Sequence, residues 1–138
     1  MLDTLAKIYD DGGSLVGVSY TLTKGEGDIR FNTAVGLQLE SLSAVFRAVA
    51  DNDTLSVSLG QLVAEPDETL VDVSNSSPWS ECIGLDICWA WRLTNHEGYD
   101  DGVRLDFTEP GLESTAIIEL VVVASSIDLF VAVRHGAA

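Results

Sequence analysis

Residues 85–107 read LDICWAWRLTNHEGYDDGVRLDF, and this stretch decides the fold. Along Leu85, Ile87, Trp89, Trp91 and Leu93 every second side chain is large and apolar, while Asp86, Cys88, Ala90 and Arg92 fall between them. That two-residue period is the signature of a strand with one face against a core. Val103, Leu105 and Phe107 repeat it, with Arg104 and Asp106 facing away. Between the two runs, Asn95, His96, Glu97, Gly98, Tyr99, Asp100, Asp101 and Gly102 make a polar loop, where a rigid scaffold displays recognition groups. The pattern predicts a hairpin that packs Trp89 and Trp91 into the core beside Leu85 and Ile87 and leaves its turn in water.

Upstream, Leu2, Leu5, Ala6 and Tyr9 share a face at helical spacing, and Gly12 with Gly13 supplies a stop. Val16, Val18, Tyr20 and Leu22 alternate as a strand, and the glycines at 25 and 27 suit a tight reversal into residues 28–32. Val35, Leu37 and Leu39 alternate next, followed by residues 42–49. The turn Asp51-Asn52-Asp53 then separates these from the alternation of Leu55, Val57 and Leu59, so the flanking segments read as antiparallel neighbours. Residues 61–80 are the least regular; Leu70, Val71 and Val73 suggest a short edge strand, and Pro66 and Pro78 argue against a long helix. After a turn at Glu109, Pro110 and Gly111, residues 116–124 and 127–133 are rich in β-branched side chains and read as central strands covered on both faces. The fold class is mainly β: an antiparallel sandwich or strongly curved sheet of about eight short strands with a short N-terminal helix.

Size and charge limit the rest. With 138 residues, 46% of them hydrophobic, the chain fits one domain spanning 1–138; a chain of about 150 residues buries roughly two-thirds of its unfolded surface. Seven Lys and Arg stand against twenty-two Asp and Glu, a net charge of −15. Such a field repels phosphate backbones and anionic lipid, so no nucleic acid and no membrane is expected as a partner. Asp3 and Lys7 interrupt any secretory signal, and Glu119 breaks the longest apolar run well short of the ~20 residues of a membrane helix, which predicts a cytoplasmic protein. Cys82 and Cys88 would lie about 20 Å apart in one extended segment, too far for a disulfide. Reduced thiols follow. Asn52-Asp-Thr54 and Asn75-Ser-Ser77 match the glycosylation pattern and read as turns.

The catalytic inventory is mostly negative. The sequence has no nucleophile elbow, no phosphate-cradling glycine loop and no dinucleotide glycine pattern. His96 and His135 are its only histidines, so neither a structural zinc site nor a three-histidine centre is assembled; no cofactor, metal ligand or catalytic residue is assigned. His135, beside Gly136, reads as a solvated tail residue. His96 has carboxylates around it in sequence, a setting for a general acid or base, but the loop reads first as a turn, with Asn95 and Asp101 accepting backbone N–H groups, Gly98 and Gly102 at positive φ, and Tyr99 against the sheet. Its oxygens, with Asp51 and Asp53, lack the spacing of a calcium loop. Trp79, next to Pro78 in a polar stretch, reads as an exposed aromatic anchor.

The run from Trp89-Ala-Trp91 through Asn95-His-Glu-Gly98-Tyr99-Asp-Asp101-Gly102 to Phe107 resembles the central signature, W-x-W followed by N-x-x-G-Y-x-D-G and a closing aromatic, of a family of small uncharacterised bacterial proteins built on a domain of unknown function. Ala124-Ser125-Ser126-Ile127 is similar to a second element of that family. The resemblance covers about a third of the chain. It implies a bacterial, soluble, single-domain protein and carries over no activity.

Two functions from different classes are therefore expected. The first is an acidic protein-interaction module, an immunity-type inhibitor being one version, in which Asn95, His96, Glu97, Tyr99, Asp100 and Asp101, with Trp79, dock a basic protein partner. The alternative is a small-ligand-binding protein or enzyme using the 95–102 loop, which would need a concave pocket there. Homo-oligomerisation through a strand edge is compatible with either.

Overall fold

In a computed structural model, which describes residues 1–27, 29–109 and 116–133, the chain opens with helix α1, Leu2–Asp11. Leu5 and Ile8 are its buried face, and Gly12 N–H closes its last turn on the Ile8 carbonyl at 3.0 Å. Strands β1 (Leu15–Lys24), β2 (Arg30–Leu39), β3 (Ser43–Val49), β4 (Thr54–Leu59) and β5 (Glu68–Asp72) follow. A 3₁₀ turn, Trp79–Glu81, leads into β6 (Asp86–Thr94), β7 (Asp100–Thr108), β8 (Ala116–Val123) and β9 (Ser126–Val133). These nine strands form two antiparallel sheets, ordered β4-β3-β2-β1-β5 and β6-β7-β8-β9. The chain is thus a sandwich rather than one curved sheet. Pro110, Gly111 and His135 lie outside the described residues.

Alternation builds the core between the sheets. Val35, Leu37, Phe46 and Leu55 face inward from the first sheet, and Val103, Leu105, Phe107, Ile118 and Leu120 from the second; all are buried. The Asp51-Asn52-Asp53 turn forms as expected, with Asn52 Oδ1 accepting from Thr54 Oγ1 at 2.6 Å. Neither Cys82 nor Cys88 is in a disulfide, and burial, with the nearby Glu81 charge, pushes the Cys82 thiol up to about 12.

Three expectations are overturned. In the β6–β7 ladder Ile87 pairs with Phe107 but Trp89 pairs with Asp106, so Cys88 is one residue too many on its strand. A bulge of this kind exchanges the faces of everything beyond it. Ile87 points into the core, Ala90 packs against it, and Trp89 and Trp91 turn outward at 60% and 40% exposure. Trp79 moves the opposite way: it is 0% exposed and is no surface anchor. Its indole Nε1–H donates to the Tyr20 hydroxyl, and its ring meets Phe107 edge-on at 6.3 Å. Burial of an indole requires such a partner for its N–H. Finally, β8 is interior as expected, but β9 is an edge strand, with Phe130 and Val131 about half exposed.

Because β4 and β5 lie at opposite edges of the first sheet, residues 60–67 must cross between them, and they do so over its outer face. Leu62 sits so close above Gly36 that a Cβ there would come within 2.7 Å of it, so only glycine admits this crossing. The crossing is latched by Arg47. Its Nη2 donates to the Val63 carbonyl at 3.3 Å and its Nη1 to the Glu68 carboxylate at 3.0 and 3.2 Å. Glu68, 3% exposed at its side chain, also accepts from the Thr33 hydroxyl and from Glu65 N–H at 3.0 Å. Desolvation raises the Glu68 pKa, but these donors outweigh it and hold the group below its ordinary 4.5.

A carboxylate depressed in the folded state contributes stability that is present above its unfolded pKa and is lost as pH falls through the folded one. Urea midpoints should therefore hold from pH 7 down to about 5 and fall below that. Arg47→Ala, which strips a buried carboxylate of its cation, should cost about 2–3 kcal/mol at pH 7 and flatten the Glu68 contribution to that acid limb.

Candidate functional site

The 95–102 loop is the turn of the β6–β7 hairpin, and its chemistry is largely directed inward. Asn95 Oδ1 accepts the backbone N–H groups of Glu97 at 2.9 Å and Tyr99 at 3.2 Å, Asn95 N–H donates to the Tyr99 carbonyl at 3.0 Å, and Gly98 takes φ +86°. Asp100 accepts from Thr94 Oγ1 at 2.9 Å and lies 3.6 Å from Arg92 Nε. Asp101 accepts from the Asn95 side-chain amide at 3.4 Å, not from a backbone N–H. Gly102 departs from the expected positive φ. It is a buried strand residue that must lack a side chain because a Cβ would fall 2.6 Å from the Leu120 carbonyl.

His96 stands in solvent at 90% side-chain exposure, with the Glu97 carboxylate 3.9 Å away. At that exposure the imidazole has neither the fixed position nor the exclusion of water that acid–base chemistry uses. Tyr99 and Asp100 border a hollow of about 490 Å³ with Thr54, Ser56 and Val57 of β4. Asp53 is elsewhere. Its carboxylate accepts from Ser125 N–H at 2.9 Å and pins the β8–β9 turn, where Ala124 and Ser125 both have positive φ. Among the described residues no group of three or more His, Cys, Asp and Glu side chains converges on one point as metal ligands would. Trp79 is not part of this surface.

What sequence reasoning missed lies on the outer face of the second sheet. Tyr9, carried there by α1, stacks on Trp89 with centroids 6.4 Å apart and planes 18° from parallel; Trp89 lies 6.1 Å from Trp91. The Arg104 guanidinium sits 4.5 Å above the Trp91 ring. Asp106 fixes that guanidinium by accepting from Nε at 3.0 Å and Nη2 at 3.4 Å, and this hydrogen-bonded charge raises the Arg104 pKa further. Strand register extends the row. Trp91 pairs with Arg104, Arg104 with Glu119, and Glu119 with the exposed Phe130, so two aromatic borders flank a charged middle. Between α1 and β6, Leu2, Leu5, Ala6, Tyr9, Trp89 and Ala90 line an apolar hollow of about 250 Å³. The one local signal was alanine between the two tryptophans, the size a core-facing position tolerates when its bulky neighbours point away.

Residues 5–135 match the family of unknown function DUF6334, and the chain belongs to that family. No curated protein and no solved structure matches it. Exposed Trp89 and Trp91 and buried Trp79 make a distinct spectroscopic expectation. Acrylamide should quench the native emission strongly, and the double variant Trp89→Phe, Trp91→Phe should leave a blue-shifted residual from Trp79 that the quencher barely reaches. Strong quenching of that residual would contradict the buried placement.

Proposed function

We propose that the chain is an acidic protein-interaction module of the bacterial cytoplasm that docks a basic protein partner on the outer face of its second sheet. The observation carrying this reading is the exposure of Trp89 and Trp91, at 60% and 40%, side by side on one strand. An indole left in water forgoes much of the burial that makes large aromatics dominate cores and interfaces, and grouped exposed rings are characteristic of contact surfaces. Trp, Tyr and Arg are also the residues in which binding energy concentrates, and this face presents Tyr9, Trp89, Trp91 and Arg104 together.

Charge selects the partner. A net −15 draws a basic surface toward the module and accelerates encounter. Arg104 on Trp91 illustrates within the fold how a guanidinium rests on an indole, and a partner's Arg or Lys would rest on Trp89 in the same way. The 95–102 loop, at the end of the same hairpin, supplies an exposed polar rim: His96, Glu97 and Tyr99, with Asp100 and Asp101 partly engaged in the turn. An immunity-type inhibitor of a basic toxin is one form such a module takes.

Affinity purification from the native host should return a stoichiometric basic protein whose retention weakens as salt rises. Trp89→Ala with Trp91→Ala should reduce its affinity by about thirtyfold or more, a loss of at least ~2 kcal/mol at a hot spot, while leaving the urea midpoint nearly unchanged. Return of no basic partner at low salt, or equal retention by the double variant, would refute the proposal.

A further inference from the structure

On the opposite side of the molecule, the outer face of the first sheet holds a cleft of about 240 Å³ beside the crossing segment 60–67. Its floor has no side chains at Gly17 of β1 and Gly36 of β2. The two glycines occupy alternate corners of a square whose other corners are Ser19 and Gln38, since Gly17 pairs with Gln38 and Ser19 with Gly36. Gly36 is required by Leu62 above it, whereas Gly17 is crowded only by the Ser74 hydroxyl. Its φ is not positive, and a Cβ there would meet only Ser74 Oγ at 3.3 Å and Gln38 Oε1 at 3.7 Å. Although Gly17 follows the irregularity at Val16, its main effect is to leave the space above it open.

The groups around that space have hydrogen-bonding capacity to give. The side chains of Ser19 and Gln38, with Ser43 of β3 and Gln61 of the crossing segment, line the cleft without a hydrogen-bond partner among the described residues. Two primary amides and two hydroxyls offer donors and acceptors together, which matches a ligand whose own groups do both. Leu62 and Leu70 add an apolar wall on either side. The sole charge in the lining is Asp72, whose carboxyl is held below the usual range by the Ser74 hydroxyl and backbone N–H and so stays ionised at neutral pH. With no cation in the lining, phosphates and carboxylates are repelled, and the volume suits a molecule of roughly one sugar ring.

We propose that this cleft binds a small uncharged polyhydroxylated ligand, of the size and hydrogen-bonding character of a monosaccharide. The site is independent of the aromatic face, which lies on the other sheet, so either assignment stands or falls alone.

The test is an ¹⁵N-resolved NMR titration of the whole chain with glucose, galactose, N-acetylglucosamine and inositol, each to about 50 mM, a range that captures millimolar affinity. At least one should produce saturable shifts centred on the Gly17 and Gly36 amides and on the side-chain amides of Gln38 and Gln61, whereas gluconate should produce none. Gly17→Val, which fills the floor, should weaken binding at least tenfold. Gln38→Ala with Gln61→Ala, on exposed side chains, should weaken it by about tenfold or more even if the glycine variant folds poorly. Absence of saturable shifts with all four compounds, equal shifts from gluconate, or undiminished binding by the glutamine variant would overturn the proposal.

Discussion

A strand in a two-layer sandwich turns one of its faces to the shared core, and an added residue is what lets β6 serve two purposes. The extra position at Cys88 lets Ile87 join the core while Trp89 and Trp91, immediately downstream, stand outside it. Without that insertion, the parity of β6 would press both indoles into an interior already occupied by Phe107, Leu105 and the Trp79 ring. The interior therefore depends on Trp79 to supply its aromatic volume, and the outer surface depends on the bulge to release the other two. The misplacement of the tryptophans in the sequence reading comes from this exchange.

Most of the scaffold was legible in the amino-acid sequence because it follows local rules. The β1–β2 and β3–β4 hairpins are announced by alternating apolar residues around Gly25 and Gly27 and around Asp51-Asn52-Asp53, and the first helix by Leu2, Leu5, Ala6 and Tyr9 before a glycine pair, although the face it buries is Leu5 and Ile8 while Leu2 and Tyr9 are half exposed. What was illegible depends on distant partners. Trp79 sits among serines, Pro78 and Glu81, and only Tyr20, fifty-nine positions away along the chain, gives its indole N–H an acceptor inside the fold. The bulge leaves no mark in the period of residues 85–93, because Trp89 and Trp91, though turned outward, are as large and apolar as a core face would be. Gly102 looked like a turn glycine, yet it is a packing glycine set by Leu120 in another strand. For the candidate surface, the loop residues were placed correctly at the hairpin tip, while Tyr9, Trp89, Trp91 and Arg104 were assembled by tertiary contact.

The distribution of charge is consistent with a molecule that faces the outside as an anion. Lys7, Arg47, Arg92 and Arg104 each have a carboxylate partner in the fold, so four of its few cations are locally neutralised. The two arginines with least-exposed partners, Arg47 beside Glu68 and Arg104 beside Asp106, also hold architecture: one latches the crossing segment and the other presses on Trp91. Surface pairs such as Lys7 with Asp11 add little by comparison, because water and salt screen them.

The position of β9 at the end of its sheet ties that anionic character to colloidal behaviour. Along Ser126–Val133 only Asp128 is acidic, and Phe130 and Val131 face solvent beside a row of backbone amides and carbonyls that no other described strand pairs, the geometry that templates strand addition between molecules. At neutral pH mutual repulsion between copies guards that row in place of a local lysine or proline. Near the isoelectric point of about 4.1 the guard disappears, so acidification removes the repulsion between copies as well as, through Glu68, part of what latches the fold.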